Sequence, residues 1–307
     1  MTRASDWPLT CPACRTPLGI PAAGDCQLGC PRCGQGYECT DGIWCFLPTA
    51  RRAFFEPFLR DYTRIRIAEG RGSASADFYR SLPACESSHP LAWQWSLRWR
   101  TFDCLCGRVL ADLGSGLKVL DLGAGVGWLS NRLSLLGHCP CAVELSDDGQ
   151  DGLGAARHYA PRWPRLRAEF DRLPLADAIA DVAIYNASLH YSTDYRVTLR
   201  EALRVLRPGG RIVVLETPVY RREESGRQML AERHADFERR YGTRSDQLPS
   251  QGFLTWAMIG QLAGELGVRW ERHRPWYGWR WALRPWLARL KRRREPSTFA
   301  VLVMQVP

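Results

Sequence analysis

The sequence reads as an α/β protein, with seven strands in a mostly parallel sheet flanked by helices and a cysteine-rich segment in front. Three observations predict this. A short apolar strand, a glycine turn and an amphipathic helix follow one another over residues 118–136. Strand and helix patterns then alternate, the arrangement that builds a parallel sheet. Seven of the 12 cysteines fall within the first 45 residues.

Length and composition set the frame. A chain of 307 residues has room for one α/β domain of about 200 residues plus an appendage. Hydrophobic content of 45% and charged content of 24% are ordinary for a soluble globular protein. Met1 to Pro8 lack the apolar core of a secretory signal, and no apolar run approaches the ~20 residues that span a bilayer. The expected location is cytoplasmic, where cysteines serve as thiols or metal ligands before disulfides.

The N-terminal segment comes first. Cys11-x2-Cys14 and Cys30-x2-Cys33 are separated by 15 residues. Each pair can present two thiolates to one tetrahedral Zn²⁺, and four closed positions make that zinc structural. Metal is expected because about 45 residues cannot bury enough apolar surface to fold alone. Cys26, Cys39 and Cys45 read as buried thiols, with Cys26 an alternative to Cys30. The runs Cys-Pro-Ala-Cys and Cys-Pro-Arg-Cys-Gly-Gln-Gly-Tyr, with Asp41-Gly42-Ile43-Trp44, resemble a small zinc-ribbon family. Its members activate methyltransferases or are fused to one. The likeness covers about residues 8–48, and the first domain is set at 1–48.

Residues 49–112 carry an apolar face at Phe54, Phe55, Phe58, Leu59 and Tyr62, interrupted near Pro57. Gly70 to Ala76 reads as a loop. Trp93, Trp95, Trp99 and Phe102 lead into a helix ending near Asp112, stopped by Gly114 and Gly116. Two readings stand: a helical connector, or an aromatic roof over the active site.

Lys118-Val-Leu-Asp-Leu-Gly-Ala-Gly-Val-Gly-Trp-Leu-Ser130 opens the main domain, 113–307. Gly123, Gly125 and Gly127 let the turn close tightly and approach a ligand. The dinucleotide fingerprint wants its third small residue where bulky Trp128 stands, which disfavours a NAD-dependent oxidoreductase. Asp121 would repel a pyrophosphate and attract an ammonium group. The motif resembles the first motif of the class I, type 11-like S-adenosylmethionine-dependent methyltransferases, which implies a Rossmann-like fold and S-adenosylmethionine as cofactor. Further motifs extend that resemblance over 118–216. Glu144 closes a second strand, 17 residues after Gly127, and by resemblance binds the ribose diol. In Glu169-Phe170-Asp171-Arg172-Leu173-Pro174, Glu169 matches the acid that binds the adenine amino group and Phe170 the residue whose amide meets the ring. Asp171 competes for the former contact. The Leu-Arg-Pro-Gly-Gly turn at 206–210 precedes the expected fifth strand, Arg211 to Glu216.

Residues 181–191 form a strand running into a polar loop, placing Asn186, Ser188, His190 and Tyr191 beyond a strand end, where ligands lie in such sheets. Asn186 is expected to serve cofactor and catalysis. His190 is the first candidate for a base, since imidazole titrates near ~6.5. Tyr191 and Asp194 are alternatives, and packing is the competing role for His190.

The C-terminal third should define the substrate. Residues 219–250 read as a cap, Phe253 to Leu266 as a helix, and Val268 to His273 and Thr298 to Met304 as the last strands. Between those strands lies a basic, tryptophan-rich insertion, 269–296. Arg269 to Glu295 holds ten Arg/Lys against two Glu, net +8, with five tryptophans. An anionic membrane surface bound through 276–294, RNA, and a solvated face covering the domain are the three readings. Together these features predict methyl transfer by in-line displacement to a small-molecule or lipid-like acceptor, in a protein that is cytoplasmic or peripheral to the membrane. Ribosomal or transfer RNA is the alternative acceptor, and a non-catalytic adaptor of the same fold the alternative class. Oligomeric state is not readable from the sequence.

Overall fold

The computed structural model describes residues 7–19, 21 and 24–306. The cysteine-rich segment forms three short antiparallel strands, β1 (Gln27–Gly29), β2 (Gly36–Thr40) and β3 (Ile43–Cys45). Asp41 and Gly42 join the last two with φ of 52° and 72°, the two-residue turn that Asp-Gly favours.

Three helices follow: α1 (Thr49–Ala68), α2 (Ala76–Ser81) and α3 (Ala92–Cys104), the last continuing through a π-helical stretch to Leu110. Helix α1 runs unbroken through Pro57, correcting the expected interruption. One lost amide bond is offset by the face that buries Phe55, Phe58 and Ile65.

The main domain alternates β4 (Lys118–Leu122), α4 (Trp128–Leu135), β5 (Cys139–Glu144), β6 (Arg165–Arg167), β7 (Ala180–Asn186), α5 (Tyr195–Val205) and β8 (Leu206–Leu215). It ends with β9 (Val219–Tyr220), α6 (Glu223–Tyr241), β10 (Leu254–Thr255), α7 (Trp256–Leu266), β11 (Arg269–His273), α8 (Trp279–Ala282), α9 (Arg284–Leu290) and β12 (Val301–Gln305). Asp194 caps α5, accepting from the amides of Arg196 and Val197.

Among the described residues, one sheet has ten strands in the order β1-β2-β3-β6-β5-β4-β7-β8-β12-β11. This corrects the seven-stranded expectation. The strands from β6 to β11 in that order are those the pattern foretold. The other three come from the cysteine-rich segment, because β3 pairs in parallel with β6, Trp44 opposite Leu166. Pairing is parallel from β3 to β8, and antiparallel at β12 and β11.

The cysteine-rich segment is therefore built onto the domain. Trp7, Tyr37 and Phe46 are buried in the same core cluster as Leu120, Val143 and Leu166 of the sheet. Its fold draws on that burial, which adds to whatever metal the four cysteines hold. Arg15 donates to the Leu173 carbonyl at 3.1 Å and to Glu201 at 2.8 Å, tying the first cysteine turn to the loop after β6 and to α5.

Chain order places the site. The chain lays β4, β5 and β6 outward on one side, then returns to β7 and β8 on the other side of β4. This reversal leaves a crevice beyond the carboxyl ends of β4 and β7, the binding position of open α/β sheets.

Candidate active site

A cavity of about 350 Å³ fills that crevice, within the range of small-molecule sites. Its floor is the glycine turn, and Glu144, Glu169, Phe170 and Asn186 stand in its walls. Phe54, Phe58 and Tyr62 of α1 and Trp95 of α3 line it from above.

Each glycine of the turn has its own reason. All three have positive φ, 75°, 53° and 74°, where a side chain is strained. A Cβ on Gly123 would also stand 2.3 Å from Cβ of Ser188. On Gly125 it would meet nothing within 4 Å, and Gly125 borders the cavity, so a side chain there takes up ligand space.

Glu144, at the end of β5, accepts hydrogen bonds from the amides of Gly125 (3.0 Å), Leu145 (2.6 Å) and Ser146 (3.1 Å). Burial raises its pKa while these amides pull it back. The carboxylate is thus held in one orientation at the cavity wall. Asp121 lies deeper. It is fully buried, one oxygen accepting from the amide (3.2 Å) and hydroxyl (2.7 Å) of Ser130, the other without a protein partner. Burial pushes this carboxyl up to about 7, and Asp121 sits beneath the turn, not among the cavity-lining residues.

Asn186 ends β7 and borders the cavity with a buried side-chain oxygen that no protein group satisfies. An unsatisfied buried acceptor costs about 1–3 kcal/mol, so a ligand donor would be favoured there. Phe170 stands edge-on to Tyr185, ring centres 5.5 Å apart. Glu169 is bound by Arg51 through two hydrogen bonds of 2.8 and 2.5 Å, so a ligand amino group would share this carboxylate with a guanidinium. Its neighbour Asp171 accepts from the Thr198 hydroxyl at 2.5 Å and also borders the cavity.

Tyr191 lines the cavity and meets Phe58 and Tyr62 at ring distances of 5.9 Å. His190 does not line it, which corrects the first choice of base. Its Nδ1 is buried without a partner, and burial with the nearby charge of Arg233 pushes the imidazole down to about 3. His190 and Tyr191 lie in a short 3₁₀ turn, Leu189–Tyr191, whose successive side chains face different ways, and it is Tyr191 that points under the roof.

The sequence reading missed the roof arginines. Arg51, Arg66 and Arg98 all line the cavity. Arg66 forms a two-bond pair with Asp151 and lies over Tyr62. Arg98 lies 4.5 Å over Trp95 and reaches Glu216 only at 3.4 Å. Trp95 in turn meets Trp128, at the foot of the glycine turn, with ring centres 6.1 Å apart. A signal existed, since Arg51 and Arg66 stand four residues before Phe55 and four after Tyr62 on one helical face.

The sulfurs of Cys11, Cys14, Cys30 and Cys33 all lie within 4.8 Å of one another. Cys11–Cys33 and Cys14–Cys30 are 3.6 and 3.5 Å apart. Four thiolates about 2.3 Å from a tetrahedral zinc stand about 3.8 Å apart, so the donor set fits that ion. Cys26 is exposed, its sulfur directed to the Gly24 carbonyl and outside this cluster, which corrects its expected place as a buried thiol.

Comparison with known proteins gives this geometry its context. Residues 120–214 match the family described as "Methyltransferase domain". This stretch is similar to a methyltransferase domain. The demethylmenaquinone methyltransferase of Mycolicibacterium paratuberculosis is 39% identical over 109 residues, 36% of this chain and 45% of that one. The malonyl-[acyl-carrier protein] O-methyltransferase of Erwinia pyrifoliae is 35% identical over 111 residues, 35% and 41% of the two chains. The chain thus spans less than half the length of these relatives. A chain from the complex between the Haloferax volcanii Trm112 methyltransferase activator and a putative methyltransferase superimposes with a TM-score of 0.50 at 18% identity. It covers 76% of this chain and 97% of its own, a likeness of fold. Among the described residues, no helix is long and apolar enough to cross a membrane.

Proposed function

We propose that the protein is an S-adenosylmethionine-dependent methyltransferase acting on a small or lipid-like acceptor beneath the α1–α3 roof. The observation that carries this reading is the cavity itself, with the glycine turn, an oriented Glu144 and the unsatisfied oxygen of Asn186 around one space. Glu144 would hold the ribose diol, Phe170 and Glu169 the adenine edge, and Gly125 leaves room for close approach. Arg98 is the group available to a carboxylate, as it lines the cavity and makes only a long contact to Glu216. Asp121 supports the turn from below through its bonds to Ser130.

Bound there, the cofactor supplies a methyl group on a sulfonium, open to in-line displacement. The chain's own contribution is to position the acceptor and exclude water, which accounts for large rate gains when reacting atoms are held near attack distance. Phe54, Phe58, Tyr62 and Trp95 give the acceptor an apolar bed, and Tyr191 and Asn186 are among the polar groups lining the cavity. The named activities of the two relatives support a small or lipid-like acceptor, and a roofed cavity suits it better than a polymer such as RNA. The four cysteines would hold a structural zinc that fixes the segment carrying Arg15, and through it the loop bearing Glu169 and Phe170.

The test is incubation of zinc-loaded protein with labelled S-adenosylmethionine and separate sets of quinol, fatty-acyl and RNA acceptors. Label in the first two and none in RNA supports the reading. Label confined to RNA refutes the acceptor class, and no cofactor binding refutes the enzyme.

A further inference from the structure

The five tryptophans of the basic insertion divide into two groups. Trp270 packs against the main core, and Trp281 packs on Tyr277 and Phe299 at ring distances of 5.0 and 5.3 Å. The Tyr277 hydroxyl lies 2.8 Å from that of Thr101, and Arg100 donates to the Trp276 carbonyl. These contacts seat the insertion on α3, the helix that brings Trp95 and Arg98 to the cavity.

The other side faces outward. Leu283, Trp286, Leu287 and Leu290 follow the i, i+3, i+4, i+7 spacing of one helical face, and they are 49, 68, 42 and 71% exposed. Trp276 and Trp279, in edge-on contact with each other, are exposed as well. An amphipathic helix ordinarily turns this face to a core. Here it turns away from one, and a contiguous exposed apolar patch on a folded chain marks an interaction surface.

Charge identifies the partner. Beside the apolar face, Arg284, Lys291, Arg292 and Arg293 line a surface concavity against α6, with Gln228 and Pro296. Arg294 is neutralised by Glu232 at 2.7 Å, and among the described residues no acidic side chain pairs with Lys291, Arg292 or Arg293. We propose that α8 and α9 dock the protein on an anionic lipid bilayer. The face from Trp276 to Leu290 enters the acyl boundary, and the Lys291–Arg293 concavity takes lipid phosphates. Aliphatic Leu283, Leu287 and Leu290 suit acyl chains and cannot stack on bases, which favours a bilayer over RNA. The surface is independent of the methyl-transfer reading, and its mounting on α3 would bring the roofed cavity near the bilayer.

The experiment is co-sedimentation of the full zinc-loaded chain with vesicles of phosphatidylcholine alone or mixed with phosphatidylglycerol, with tryptophan emission read in parallel. Binding to the mixed vesicles, a blue shift, and loss with added salt are expected. Arg292→Glu with Arg293→Glu should lower partitioning at least about 25-fold. Trp286→Ser with Leu290→Ser should lower it about tenfold or more and abolish much of the blue shift. All four positions are surface residues, so circular dichroism and cofactor affinity should match the parent in both variants. Absence of vesicle binding, binding that neither pair of substitutions weakens, or binding of an RNA oligonucleotide with none to vesicles each overturns the proposal.

Discussion

Replacing Glu144 by Gln separates a ligand-binding role from a structural one, because only the structural role predicts a large fall in stability. One carboxylate oxygen accepts from Leu145 and Ser146, the other from Gly125. A glutamine can keep its oxygen toward the paired amides, but then its NH₂ faces the Gly125 amide, donor to donor. Hydrogen bonds to a charged group contribute about 1.5–3 kcal/mol each, so the lost charge and one lost acceptor toward the ribose diol cost about 3 kcal/mol. That is a loss of about 100-fold in affinity. Stability should move little, since removing a charge that burial already disfavours offsets the Gly125 amide left unpaired. Titration calorimetry with S-adenosylhomocysteine and thermal unfolding of the free protein read the two effects. Affinity within about threefold of the parent would refute the assignment, as would a large fall in melting temperature accompanying the affinity loss.

Gly125→Ala should fold with a cost of about 1–2 kcal/mol from its left-handed backbone and lose cofactor binding, whereas Gly123→Ala, 2.3 Å from Ser188, should fail to accumulate as folded protein; solubility and calorimetry distinguish them. Chelating the metal, or Cys14→Ser, should weaken cofactor affinity by loosening the Arg15 tether to Leu173 and Glu201, with less effect on the secondary structure of the main domain. Calorimetry and circular dichroism before and after chelation check this, and unchanged affinity would contradict it. His190→Gln should leave the pH profile of methyl transfer unchanged between about pH 6 and 8, because an imidazole pushed down to about 3 is neutral throughout that window. A lost inflection near 6.5 would restore it as the base.

What was legible in the sequence was local. The glycine turn and the Cys-x2-Cys pairs lie within a few residues of the elements that position them, so spacing marked them, and the roles expected of the acids closing β5 and following β6 came from the family resemblance. Contacts between distant segments were not legible. Nothing in Ile43-Trp44-Cys45 says that it pairs with Arg165-Leu166-Arg167 to extend the sheet. The Arg51–Glu169 pair joins residues 118 positions apart and alters an acid that looked free for a ligand. His190 and Tyr191 show another limit, as adjacent residues past a strand end face different surroundings and only one reaches the cavity. The basic insertion was ambiguous because composition does not tell which tryptophans point inward. Trp281 does, and Trp286 does not.

The central claim is that the roofed cavity binds S-adenosylmethionine. Titrating that compound into purified, zinc-loaded protein, with NAD as competitor, addresses it most directly. Saturable binding at micromolar concentrations is expected, undisturbed by NAD and lost in Gly125→Ala. No heat of binding in a protein shown to be folded and metal-loaded, or displacement by NAD, would contradict it.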